Sequence, residues 1–105
     1  MNEVPEIQID DAKKQFDQKD CMFVDIRDPA SYRAAHIPRA VHLHDGNVQQ
    51  LIQTADKDRD LVAYCYHGNS SLGAVAYFLE NGFNKVASMS VGFEAWRQVY
   101  EHEAG

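Results

Sequence analysis

Short apolar runs alternate with amphipathic segments along the whole chain, and that alternation limits the fold more than any other feature. Glu6–Ile9, Cys21–Ile26, Ala40–Leu43, Leu61–Tyr66 and Lys85–Ser90 have the apolar, β-branched character of short strands. Helical signals lie between them. Asp10 or Asp11 can cap a helix over Ala12–Asp17. Asp28 as cap and Pro29 at the first position start a helix over Ala30–Ala35. Asp45-Gly46-Asn47 makes a turn and cap before Val48, Leu51, Ile52 and Ala55, which recur at helical spacing. Ser70 or Ser71 caps the next helix. Its expected apolar stripe is Leu72, Val75, Ala76 and Leu79, and Asn81-Gly82 stops it. The last helix runs from Gly92 to about Tyr100, with Phe93, Trp96 and Tyr100 on one face. Strands alternating with helices demand right-handed crossovers. The expected fold is therefore α/β: a mainly parallel five-stranded sheet with helices on both faces.

The chain has 105 residues, with no repeat and no linker rich in Pro, Gly or Ser, which reads as one domain over 1–105. Its net charge of −6 comes without a basic stripe, which argues against nucleic acid as a partner. No apolar run approaches the ~20 residues of a membrane span. Met1–Glu6 has neither the basic nor the apolar region of a signal peptide, so the expected compartment is the cytoplasm and no membrane partner is expected. Two cysteines, Cys21 and Cys65, are too few for a disulfide scaffold and are expected as free thiols. The mixed-sign run Asp56–Asp60 reads as a solvated loop.

Sites in parallel sheets lie beyond the C-terminal ends of strands. Cys65 is at such an end, and so are Arg27 and Asp28. After Cys65 come Tyr66, His67, Gly68, Asn69 and Ser70, then a helix. Gly68 permits positive φ, and Asn69 tolerates it better than most residues. Such a loop can turn successive backbone N–H groups inward as an anion nest, and the helix adds its positive end. Both favour a thiolate over a thiol. The candidate nucleophile is Cys65. The candidate binding groups are the backbone N–H groups of Tyr66, His67, Gly68, Asn69 and Ser70.

Cys65-Tyr-His-Gly-Asn-Ser-Ser71 resembles the active-site loop of the rhodanese (thiosulfate sulfurtransferase) family. Val24–Ala40 is similar to the family's N-terminal signature, and Gly92-Phe-Glu-Ala-Trp96 to its C-terminal one. The three segments come in the family's order and span about residues 7–100. The chain looks most like the short, single-domain bacterial members. The resemblance implies a double displacement through a Cys65 persulfide. A small-molecule donor, thiosulfate, supplies the sulfur, and no cofactor is needed. Cyanide is the usual assay acceptor; thioredoxin or a dithiol is the expected cellular one. Three departures stand out. Ser70 occupies a position where many members carry arginine, so amides and a helix end must do the electrostatic work and the KM for thiosulfate should be high. Arg39 and Val91 replace glycines common in the two signatures, which puts local loop geometry in question.

Other candidates read more plainly. His67 could act as a base, but an ionised thiol needs none. His42 and His44 alternate on a strand without a recognisable zinc pattern. Tyr32 and His36 suit packing at a helix end. Asp25 and Arg27 suit an ion pair, and Cys21 a structural thiol. A phosphatase built on a cysteine loop wants a loop-closing arginine, and Ser71 stands there instead. A persulfide carrier, or a non-catalytic regulatory module of the same fold, are the alternatives to an enzyme.

Overall fold

Strands and helices alternate strictly along residues 4–105, the part of the chain that the computed structural model describes. The order is β1 (Glu6–Ile7), α1 (Ile9–Gln18), β2 (Met22–Asp25), α2 (Pro29–Ala34), β3 (Val41–His42), α3 (Val48–Thr54), β4 (Leu61–Tyr64), α4 (Ser70–Glu80), β5 (Val86–Met89) and α5 (Gly92–Val99). The sheet order is β1-β5-β4-β2-β3, and every pairing is parallel. β4 lies in the middle and is buried along its whole length, as an unbroken apolar run predicts for a covered parallel strand.

Period-two alternation divides the core between the two faces. Val62 and Tyr64 of β4 pack with Ala12 and Phe16 of α1 and with Phe93 and Trp96 of α5. Leu61 and Ala63 pack with Ile52 of α3 and with Val75 and Phe78 of α4. Phe16, Phe23 and Trp96 meet edge-on or tilted, with ring centroids 5.8–5.9 Å apart. Alternation then aims Cys65, the next residue, at the α4 face.

Several boundaries differ from the sequence reading. β1 ends at Ile7, and Ile9 opens α1. The cap is Gln8, which makes no side-chain capping bond. Asp10 and Asp11 sit inside the first turn, where a carboxylate still meets the positive helix end. Asp28 caps α2 as expected, accepting from Ser31 N–H at 3.1 Å. Asn47 holds the cap position of α3 as expected, but its side chain makes no capping bond; its amide spans the turn from His44 N–H to the His42 carbonyl. α4 is rotated from its expected stripe. Ser71, Val75 and Phe78 are buried, while Leu79 is exposed. The reason is local: Ser71 turns inward to serve the sulfur, and the helix follows. Neither Ser70 nor Ser71 is the cap, because Asn69 holds that position.

Arg39 and Val91 both adopt left-handed backbone, at φ 70° and 57°. The geometry of the glycine positions is kept although the glycines are gone. Arg39 gains something in return: its guanidinium donates to the Phe16 carbonyl at 2.9 Å and lies 4.1 Å from the Phe16 ring centre. Val91 gains no comparable contact. It is β-branched, left-handed and 54% exposed. A side chain there costs about 1–2 kcal/mol, against about 0.4–1 kcal/mol of extra unfolded-chain entropy for glycine. Val91→Gly is therefore expected to stabilise the fold by about 0.5–1 kcal/mol, raising Tm by several degrees. A lower melting temperature on thermal unfolding would contradict this reading.

Candidate active site

Cys65 follows β4 directly, and its side chain is 3% exposed. The thiol sits beneath the first turn of α4. Gly68 N–H donates to Sγ at 3.2 Å and Ser71 N–H at 3.4 Å. The Ser71 hydroxyl lies 3.4 Å from Sγ and 2.6 Å from the Ser88 hydroxyl. Both serines are fully buried. Burial alone would raise the thiol pKa. The Ser71 hydroxyl and the N–H groups of Ser71, Gly68 and His67 overcome that and hold it below the usual cysteine value. Cys21 shows the contrast. It has burial and the Asp60 charge around it, and its thiol is pushed up to about 12. The chain therefore holds two free thiols of opposite character.

The loop is shaped from outside as well as from its own residues. Gly68 has φ +95°, and a Cβ there would lie 2.9 Å from the Val91 nitrogen. Phe93 N–H donates to the Cys65 carbonyl at 2.8 Å, and Glu94 N–H to the Tyr66 carbonyl at 3.1 Å. The start of α5 thus grips the first two carbonyls of the loop and leaves its N–H groups free to turn inward.

Of the expected binding groups, Gly68 alone hydrogen-bonds the sulfur through its N–H; the His67 N–H helps to lower the thiol pKa, and Tyr66, Asn69 and Ser70 make no bond to Sγ. The His67 side chain is exposed and makes no hydrogen bond among the described residues. Ser71 is the residue that sequence reasoning missed. The available signal is a serine six positions after the cysteine, where the first turn of the expected helix brings it back toward the strand tip. Ser71→Ala removes one donor to the thiolate, worth about 1.5–3 kcal/mol for a bond to a charged group, or about one pKa unit or more. The sign follows: the thiol pKa rises, so the acidic limb of the pH–rate profile should move up by about one unit. An unmoved limb in a folded variant would remove Ser71 from the electrostatic account.

The remaining candidates fall into place around this centre. Asp25 and Arg27 form a buried ion pair at 2.7 Å, and Arg27 also donates to the Ala35 carbonyl. Burial opposes the guanidinium charge, but the Asp25 bonds and charge outweigh it and keep Arg27 protonated. Its guanidinium lies 4.3 Å from the Phe93 ring centre and 5.7 Å from that of Tyr66. The Tyr66 hydroxyl donates to Asp28, which also accepts from the Ser31 hydroxyl at 2.7 Å. These bonds hold the Asp28 carboxyl far below the ordinary range. Tyr32 stacks on His36 at 4.0 Å and donates to the Ala40 carbonyl, so both pack a helix end. His42 bonds the Arg27 carbonyl through Nε2 at 2.7 Å. Among the described residues, no three His, Cys, Asp or Glu side chains come together as metal ligands.

A cysteine at the tip of a central parallel strand, its pKa lowered by backbone N–H groups at a helix N-terminus, is the arrangement expected of a candidate thiolate-nucleophile site in an α/β protein. The Rhodanese-like domain model matches residues 8–99, and the chain belongs to that family. It is 44% identical over 86 residues to a Thiosulfate sulfurtransferase GlpE of Pseudomonas syringae pv. syringae, covering 82% of this chain and 81% of the relative. It is 47% identical over 87 residues to a protein of the same name from Pseudomonas paraeruginosa, covering 83% and 79%. Among solved structures, the Anabaena Alr3790 protein superposes with a TM-score of 0.85 at 21% identity, covering 94% of this chain and 82% of that one. The fold is shared at that distance. No described helix is long and apolar enough to cross a membrane.

Proposed function

We propose that this chain is a thiosulfate sulfurtransferase working by double displacement through Cys65. The Cys65 thiolate attacks the outer sulfur of thiosulfate. The new S–S bond forms as the thiosulfate S–S bond breaks, and sulfite leaves with the electron pair. Cys65 is left as a persulfide, which passes its outer sulfur to a thiophilic acceptor such as cyanide, a dithiol or thioredoxin. The observation that carries this reading is the set of donors around Sγ: the N–H groups of Gly68 and Ser71 and the Ser71 hydroxyl. The same set can hold a thiolate, a leaving oxyanion and a terminal persulfide. The loop ends in serines and Arg27 is neutralised by Asp25, which supports a sulfur-holding site over one that clamps a phosphate. The two free thiols accord with a reducing, cytoplasmic setting.

Intact-protein mass spectrometry tests the reading. Incubation with millimolar thiosulfate should add the mass of one sulfur. Cyanide should remove it, and Cys65→Ser should never acquire it. Cys21→Ser should behave as wild type. No adduct on the wild-type protein would sink the assignment.

A further inference from the structure

A groove of about 560 Å³ opens on the same sheet edge as Cys65 and on the same face as its sulfur. Its floor is apolar and drawn from elements of the α3/α4 core: Ile26 after β2, Leu43 after β3, Val48 of α3, and Ala74 and Phe78 of α4. Ala74 lies three residues beyond Ser71, about 4.5 Å along the helix axis. One wall of the groove is therefore the next turn of the helix that holds Sγ. Its size is that of a small-molecule site. The rim carries Asp28, Asp45, His42 and His44. The one Lys or Arg lining it is Arg27, whose charge is committed to Asp25. The groove thus offers apolar contact and two carboxylates, Asp28 and Asp45, with no Lys or Arg paired to either among the described residues.

Sulfite and thiosulfate, being small dianions without an apolar body, gain nothing from such a surface. A thiol with an aliphatic body and no anionic group does. We propose that this groove binds the body of the sulfur acceptor, a small aliphatic thiol or dithiol that is neutral or cationic, and holds its thiolate over the Cys65 persulfide. This rests on the sulfurtransferase reading above and adds the acceptor's chemistry and its place. The acceptor thiol loses its proton to solvent. Its thiolate forms a bond to the outer persulfide sulfur, the bond from that sulfur to Cys65 Sγ breaks, and Cys65 takes the electron pair as thiolate. In a dithiol, the second thiolate then displaces hydrosulfide and closes the disulfide.

The test uses full-length protein first loaded with thiosulfate and checked by mass. Failure to load would refute the underlying sulfurtransferase reading; the groove is judged only on loaded protein. Sulfur release is then followed with 1,4-butanedithiol, cysteamine and 3-mercaptopropionate. Ala74→Phe narrows the floor and should raise the KM for butanedithiol about tenfold on protein already loaded with sulfur. Asp45→Lys lies in an exposed turn. It should lower the cysteamine-to-mercaptopropionate rate ratio severalfold relative to wild type, whatever the fate of the Ala74 variant. A butanedithiol KM within twofold of wild type in folded Ala74→Phe, or an unchanged charge ratio in Asp45→Lys, would overturn the proposal. So would an effect confined to a protein acceptor such as thioredoxin.

Discussion

Arg27→Met is expected to destabilise the fold by about 3–5 kcal/mol, because it leaves the Asp25 carboxylate buried without its partner. Asp25 is fully buried and Arg27 nearly so, and the pair is joined at 2.7 Å with further bonds from Nε and from the Arg27 backbone N–H. At about 4–8 °C per kcal/mol for a domain of this size, Tm should fall by about 12 °C or more. Removing both charges is a different perturbation. Asp25→Asn combined with Arg27→Met leaves no uncompensated charge, so it should recover a large part of the loss. Chemical denaturation of the two single variants and the double variant measures the coupling. A single-variant cost below about 1 kcal/mol would show that the pair is not a structural support. The effect reaches the site as well. Arg27 ties β2 to the end of α2 through the Ala35 carbonyl, and its guanidinium lies 4.3 Å from the Phe93 ring centre and 5.7 Å from that of Tyr66. Its loss should loosen the loop that begins at Cys65.

Gly92→Ala should damage the site more than any substitution outside the cysteine itself. Gly92 has φ +63°, and a Cβ there would lie 2.4 Å from the Tyr66 oxygen, 2.5 Å from its carbonyl carbon and 2.7 Å from the Cys65 oxygen. All three are backbone atoms, so no rotamer change relieves the contact. The Cys65–Tyr66 peptide or the start of α5 must shift by roughly an ångström, and the bonds from Phe93 and Glu94 to those carbonyls go with it. A misplacement of that size costs on the order of a hundredfold in rate. Left-handed strain adds about 1–2 kcal/mol of destabilisation. The rate of persulfide formation from thiosulfate, followed by intact mass, reads the first effect and thermal unfolding the second. Gly73→Ala is the control. Gly73 is in the middle of α4 and a Cβ there meets nothing within 4 Å, so alanine should be neutral or stabilising. Loading within twofold of wild type in Gly92→Ala would mean that the start of α5 does not set the loop geometry.

The strand–helix alternation and the position of Cys65 at a strand tip were legible because they depend on local pattern. A β-branched run marks a covered strand wherever it occurs, and Asp28-Pro29 marks a helix start by its own backbone preferences. The Asp25–Arg27 ion pair and the Tyr32–His36 stack are legible in the same way, since a carboxylate and a guanidinium two residues apart at a strand end have few other ways to be buried. The misreadings share a cause. Ser70 and Ser71 looked like caps by residue type, and Leu72 and Leu79 looked like core by hydropathy. Burial on α4, however, is decided by what the helix packs against. The sulfur and Ser88 draw Ser71 inward, and Phe78 fills the core beyond it.

By itself the sequence determined the parallel α/β architecture, a cysteine at a strand end and a loop able to turn N–H groups inward. These follow from periodicity, β-propensity and the conformational freedom of Gly68. Only the tertiary structure decided which groups reach the sulfur. Ser71 of α4 bonds the sulfur, and Ser88 of β5 reaches it only through the Ser71 hydroxyl. The N-terminus of α5, 27 residues beyond Cys65, holds the loop carbonyls. Arg39 keeps a left-handed turn without glycine while its guanidinium bonds the Phe16 carbonyl, and Val91 keeps one with no comparable contact, so the fold around it carries the strain. The environment of the Cys65 sulfur is thus a property of four strand and helix ends brought to one point, which no single stretch of the chain encodes.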